Sequence, residues 1–339
     1  MREHGRTRAL TPAAKIVLIA APILAALAAL AVGRLYISPG DVAGSIINLF
    51  GGDCDVPRRI QLVVVSIRLP RVLLAMLTGA GLSVAGCAFQ SLFSNPLATP
   101  DTLGVASGAS FGAALAILLG FGLIGVQLTA LAFGIAAVAL TWLSVSGKGG
   151  INAVILAGIM IGSLFSALVS LVKYTADTES QLPAITYWLM GSLGSASFRT
   201  LAFGSPLIII GIIVMFLLRW RLNVLPLPED EAKSMGTDIK ALRIATVICA
   251  TAMTASCVSM CGQVGWVGLL VPHMCRMKFG NDHMALIPAS VSVGAVFMVV
   301  VDTVARSATA SEIPISILTA IIGAPFFIIL MRRTGGWQI

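Results

Sequence analysis

Long stretches without a single charge constrain this chain more than any other feature. No charged side chain occurs between Ile16 and Gly33, and comparable apolar runs recur near 72–92, 103–120, 124–145, 151–173, 201–219, 244–262, 263–276, 284–301 and 313–331. A spanning helix needs about 20 apolar residues, whereas a barrel strand shows only an alternating segment of about ten. With the first run counted over 14–34, the pattern predicts an all-α polytopic membrane protein of about ten transmembrane helices. Of the 339 residues, 58% are hydrophobic and 11% charged, and an ordinary soluble domain carries roughly a quarter charged. That apolar content excludes disorder, and six dispersed Cys exclude a disulfide scaffold. Cys87, Cys249, Cys257, Cys261 and Cys275 fall in or beside apolar runs; only Cys54 lies in a polar loop.

The first run follows Arg2, Arg6, Arg8 and Lys15 and might pass for a secretory signal. It exceeds the roughly 7–15 residues of a signal core, so it reads as a retained span. The eighth run is punctuated by Gly262, Gly265, Gly268 and Pro272, which predicts a short or broken helix. The chain thus reads as a single transmembrane domain over 1–339, with an N-terminal arm at 1–13 and a polar loop at 219–243.

An even number of spans puts both termini on one side. Basic residues in the arm, Arg332 and Arg333 after the last span, and Arg219, Arg221, Lys233, Lys240 and Arg243 in the polar loop make that side cytoplasmic. The first external loop breaks the rule, with Arg34, Arg58, Arg59, Arg68 and Arg71 against Asp41, Asp53 and Asp55. Cations on the side where they are normally sparse call for acidic groups arriving from outside.

Other patterns narrow the function. Gly104, Gly108 and Gly112, and again Gly158 and Gly162, stand four residues apart and predict close helix packing. Charge within the runs is nearly absent, Lys173, Asp302 and Arg306 lying at their ends, which disfavours a self-contained ion-coupled transporter. No acid/base cluster converges to suggest a membrane enzyme. Gly147-Lys148 is followed by Gly149 and preceded by Trp142 at the first Walker A position, so the chain holds no phosphate cradle. Within the polar loop, 228–236 reads as a short helix. Pro228 stands near its first turn, Glu229, Asp230 and Glu231 at the positive end of its dipole, and Gly236 at its stop. On pattern alone this is equally a docking knob or a solvated linker. His273 and Cys275 match no structural zinc spacing and read as structural residues.

Several separated motifs resemble the FecCD transport family, permease subunits of ATP-binding-cassette importers for ferric siderophores, haem and cobalamin. They are Arg68-Leu69-Pro70-Arg71, Gly79-Ala80-Gly81-Leu82, Gln90 to Gly104 with its Asn95-Pro96-Leu97 step, Tyr187 to Leu193, Leu222-Asn223 to Gly236, Gly265 to His273, Asp302 to Arg306 and Pro314 to Pro325. The resemblance implies a dimer of permeases, identical or paralogous, in a bacterial inner membrane. It also implies two cytoplasmic ATPases that bind the ATP and Mg, and a periplasmic or lipid-anchored binding protein. No cofactor or metal is expected on this chain.

Residue by residue, the resemblance gives Arg68, Arg71 and Arg306 to carboxylates of the binding protein, a task suited to the bidentate Arg fork, although Asp302 one turn before Arg306 offers it an internal partner. It makes the loop helix an ATPase-coupling helix, with Glu229, Asp230, Glu231 and Lys233 in polar contact and Met235 and Gly236 filling a cleft. It points to Asn95, Leu97, Ile151 and Asn152 as the gate. A ferric siderophore is the expected substrate, with haem, cobalamin and other metal chelates as alternatives. Cys261, Gln263 and Ser316 depart from the commoner family residues.

Overall fold

A computed structural model describes residues 10–145, 150–309 and 311–333. The arm before residue 10 and the Gly147-Lys148 pair lie outside the described residues, as do the side chains of Ile151, Glu229, Lys233, Arg332 and Arg333. Every described element is helical: α1 (Pro12–Ala31), α2 (Pro39–Leu49), α3 (Arg58–Leu62), a π-helical turn (Val63–Arg68), α4 (Leu69–Leu92), a 3-10 turn (Pro100–Leu103), α5 (Val105–Leu118), α6 (Leu123–Ser144) and α7 (Ile151–Thr175), then α8 (Gln181–Leu189), α9 (Phe198–Leu222), α10 (Glu229–Ser234), α11 (Ile239–Cys261), α12 (Val267–Phe279), α13 (His283–Ser307) and α14 (Ile315–Arg333).

Among the described residues, seven helices are long and apolar enough to cross a membrane, and Val105–Leu118 and Ile315–Ile329 are shorter apolar helices. With α12, one helix stands in each of the ten apolar runs. Local chemistry sets their ends. Thr11 Oγ1 accepts from the Ala14 N–H ahead of Pro12 in α1, Ser197 Oγ accepts from Thr200 in α9, and Asp282 accepts from the Met284 N–H in α13.

Two expectations need correction. The helix that carries the second span begins at Arg58, well before residue 72, because the π turn joins α3 to α4 without a break. Pro70 has no N–H to continue the ordinary ladder, and Leu69 N–H reaches Val64 O instead. Arg68 and Arg71 are therefore helical residues and not loop residues. Two further helices, α2 and α8, lie between spans where loops were expected.

The eighth run is short, as predicted: α12 starts only at Val267, after Gly262 (φ 73°) and Trp266 (φ 68°) turn the chain through the left-handed region. The end of α11 and the neighbouring non-helical Met190–Gly191 backbone are satisfied by protein. Ser192 N–H donates to Cys261 O (2.8 Å), Ile315 N–H to Gly191 O (3.0 Å) and Ser316 Oγ to Met190 O (2.6 Å). Irregular backbone at membrane depth is tolerated only where neighbours complete its hydrogen bonds. Ser316, a departure from the family pattern, supplies one of them.

α4 is the central helix; nearly every residue from Thr78 to Leu92 is buried. It packs antiparallel to α13 and also against α9, α11 and α12. Small residues make this possible. A Cβ built on Gly79 would collide with the Gly294 carbonyl, and one on Gly86 with the Gly268 carbonyl. The four-residue glycine steps also pack helices: Gly108 and Gly112 lie against the α6 backbone at Phe133 and Thr129, and Gly158 against the Thr102 carbonyl.

Gly79→Val and Gly86→Val are expected to destabilise the fold by about 1–3 kcal/mol each through forced separation of backbones. Gly265→Ala, which meets nothing within 4 Å, is expected to change little. Thermal melting of the detergent-purified protein checks the contrast.

Candidate functional site: two polar ends on one helix pair

Arg71 in the first turn of α4 and Gln90 near its last are separated by about 28 Å at 1.5 Å per residue, close to the thickness of a bilayer core. Because α13 runs antiparallel, each end of the α4–α13 pair joins the start of one helix to the end of the other. Both ends are polar.

At the first end the Arg71 guanidinium is shared between two carboxylates. Its Nε donates to Asp302 Oδ1 (2.9 Å), while Nη1 and Nη2 donate to Glu312 Oε1 (2.8 Å) and Oε2 (2.9 Å) as a fork. Arg306 Nε lies 3.5 Å from Asp302 Oδ2, and its Nη2 donates to Ala29 O. Arg68 Nη1 donates to Leu30 O (2.7 Å) and Ala31 O (3.0 Å), and its Nη2 to Leu35 O. Two arginines thus satisfy the last carbonyls of α1 at the negative end of its dipole. Gly33 permits the approach, since a Cβ there would lie 2.6 Å from Arg68 Nη2.

Arg68, Arg71 and Arg306, the residues expected to dock a binding protein, are 5%, 8% and 7% exposed and direct their donors inward. The cause is burial, because a guanidinium taken from water must find acceptors nearby. Arg306 takes the internal partner that its spacing from Asp302 offered. Arg34, Arg58, Arg59 and Arg199 are exposed cations at this end. Glu312 escaped the sequence reading; its only signal was an isolated acid just before Pro314, in a chain whose excess cations at this end lacked a partner.

At the other end the chain turns sharply after α4. Ser94 takes φ 48°, and Asn95 Oδ1 accepts from the Leu97 N–H (2.9 Å), closing the Asn95-Pro96-Leu97 step as a side-chain-capped turn. Asn95, Leu97 and Asn152 are exposed, and the Ile151 side chain lies outside the described residues. The turn borders a cavity of about 910 Å³, lined by Ser94, Asn95, Asn223, His273, Arg276 and His283 among others.

A hydrogen-bonded chain crosses this cavity wall. His283 Nδ1 donates to Asn223 Oδ1 (2.6 Å), which also accepts from the His283 N–H (2.9 Å), and Asn223 Nδ2 donates to Asp282 Oδ1 (2.9 Å). Ser91 Oγ meets His283 Nε2, and Arg276 donates to Gln90 Oε1. The ends of α4 and α9 and the start of α13 are joined by side chains that no spacing in the sequence links.

Asn223 opens the loop that carries α10. This helix has six residues, Glu229–Ser234, within the expected 228–236, and Gly236 (φ 71°) ends the turn after it. Ala232 is fully buried in a small cluster with Val224 and Ile239. Asp230 and Glu231 are exposed, and Met235 is 48% exposed. The side chains of Glu229 and Lys233 lie outside the described residues. The short helix thus presents two acids and an apolar tip to the outside and is anchored by one buried methyl. Among the described residues no group of His, Cys, Asp and Glu is placed to hold a metal.

Removing one partner of a buried ion pair strands the other, so Arg71→Ala and Asp302→Ala are each expected to cost about 3–5 kcal/mol, read as loss of thermal stability in detergent. Hydrogen bonds from Arg71 hold the Glu312 carboxyl below its ordinary value against the opposing effect of burial. A depressed carboxyl stabilises the fold above its ordinary pKa and loses that contribution as pH falls through the lowered one. Acidification through the carboxylate range should therefore lower the melting temperature more for the natural chain than for Glu312→Gln.

The comparisons with known proteins agree on one identity. The FecCD transport family model matches residues 19–333. The chain is 40% identical to the molybdate import system permease protein MolB of Haemophilus influenzae over 92% of this chain and 93% of that one. It is 39% identical to the cobalamin import system permease protein BtuC of Halobacterium salinarum over 82% of this chain and 75% of that one. Among solved structures it is similar to a metal-chelate type ABC transporter in an inward-facing conformation, with a TM-score of 0.86 and 38% identity over 95% of this chain and all of that one. With helices, motifs and relatives in accord, the chain belongs to the FecCD family and is a multi-pass permease of an ABC importer.

Proposed function

We propose that the chain carries a ferric siderophore, or a closely similar metal chelate, across the bacterial inner membrane by alternating access driven by separate ATPases. The observation that carries this reading is the likeness, over nearly the whole chain, to a metal-chelate type transporter. Molybdate is the second reading, favoured by the 40% identity to a molybdate permease. Uptake into proteoliposomes holding the permease, its ATPases and its binding protein, with a labelled ferric siderophore and labelled molybdate in parallel, separates the two. Accumulation of molybdate alone would overturn the siderophore reading.

In this reading α10 is the coupling helix. Asp230 and Glu231, with Glu229 and Lys233, make polar contacts to an ATPase while Met235 and Gly236 enter its cleft. The hydrogen bonds through Asn223 and His283 tie the start of that loop to the Ser91 end of α4, beside the Asn95-Leu97 turn. Asn95, Leu97, Ile151 and Asn152 form the gate at the cytoplasmic mouth. The permease pairs with a second copy or a paralogue, both termini face the cytoplasm, and substrate arrives on an external binding protein.

Docking of that protein at the arginine end begins at the exposed Arg34, Arg58 and Arg59. For Arg71 to meet an incoming carboxylate it must release Glu312, the more exposed of its two partners, at 29% side-chain exposure against 2% for Asp302. Glu312 then acts as a placeholder. Two outcomes are expected. Reversing Asp230 and Glu231 to Lys should abolish ATP-driven uptake while binding-protein affinity in detergent stays within about twofold. Glu312→Gln should raise that affinity, because Arg71 no longer leaves an internal carboxylate; lowered or unchanged affinity would refute the placeholder role.

A further inference from the structure

A second cavity, of about 920 Å³, opens on the outer surface of the bundle between α1 and α9, with α4 and α13 as its floor. Helix α1 packs on α13 and α4, and α9 packs on the same two, so the gap between them is the part of the bundle that protein does not fill. Pro22 of α1 and Pro288 of α13, both inside helices, border it. Its walls are apolar apart from Ser292 and one charged end, which Lys15 of the first turn of α1 and Arg219 of the last turn of α9 both line. The Arg219 guanidinium lies 3.8 Å from the centre of the Phe216 ring, which holds it at the mouth. Among the described ion pairs neither cation takes a carboxylate. The one acid among the lining residues, Asp282, accepts from Asn223 and from the Met284 N–H and is held on the α13 side, which leaves the rim with two cations against one carboxylate.

The dimensions fit one occupant. Along α13 the lining runs from Met284 to Ala295, about 17 Å at 1.5 Å per residue, which is close to one leaflet's half of a hydrocarbon core about 30 Å thick. An apolar channel of leaflet depth, flanked at the interface by two cations against one carboxylate, matches a phospholipid with a negative headgroup. The apolar walls gain dispersion contacts they otherwise lack, and each basic side chain near the headgroup plane favours an anionic lipid by about 1 kcal/mol.

We propose that this groove is a specific lipid site: one acyl chain of an anionic phospholipid lies between α1 and α9, and its phosphate is held by Lys15 and Arg219. The bound lipid completes the packing of α1, whose own apolar surface is mostly outward. It also braces α9, the helix that leads into the acidic knob. The inference does not depend on the identity of the imported substrate.

Native mass spectrometry of the detergent-purified full chain tests it, with dioleoylphosphatidylglycerol and dioleoylphosphatidylcholine titrated separately. The first phosphatidylglycerol is expected to bind roughly tenfold or more tighter than phosphatidylcholine, as two interfacial cations imply. Lys15→Gln with Arg219→Gln should bring phosphatidylglycerol to the phosphatidylcholine level. Ile213→Trp, a change at an exposed wall position that leaves both cations in place, should weaken retention of either lipid. Equal affinity of the natural chain for the two lipids, or undiminished phosphatidylglycerol binding in either variant, would overturn the assignment.

Discussion

The buried fork of Arg71 between Asp302 and Glu312 is the interaction on which the rest of the bundle depends. It joins the start of α4 to the end of α13 and to the strand of chain entering α14. Three arginines face two carboxylates here, and the surplus is absorbed by the carbonyls that end α1. Each buried charge is tolerable only because the others are present. The cluster therefore fixes four segments together at one membrane face.

The opposite face is held by a largely buried network of hydrogen bonds instead of a cluster of ion pairs. Ser91, His283 and Asn223 tie α4, α13 and α9, and the mid-bundle contact of Gly79 with Gly294 lets the two central helices meet backbone to backbone between these fastenings. The peripheral helices α1, α7 and α9 turn much larger apolar surface outward. This division suits a permease, in which a stiff central pair supports outer helices that meet lipid and partner chains. The acidic α10 sits immediately beyond the network, so its position relative to α4 is fixed by three short side chains.

Much of this was legible in the amino-acid order. Each of the ten apolar runs holds a helix, the glycines at 262 and 265 and Pro272 marked the short α12, and Pro228 to Gly236 bracketed α10. Hydropathy understated the length of the helix through the second span because Arg58, Arg59 and Arg68 depress the average there, although helix continues through them. The arginine cluster was visible as misplaced charge, but its acceptors were not. Glu312 and the carbonyls of α1 are brought together only by tertiary packing across more than two hundred residues. The side chains at Asn223 and His283 had no periodic signal, since each belongs to a helix end and not to a face.

The central claim is that this chain conducts substrate but does not power its movement. Uptake by proteoliposomes containing the purified permease, with and without its ATPase subunits, is the direct measurement, with loaded binding protein outside and ATP within. The account predicts accumulation only when the ATPases and ATP are both present. Accumulation by the permease alone, driven by a proton or sodium gradient, would contradict it.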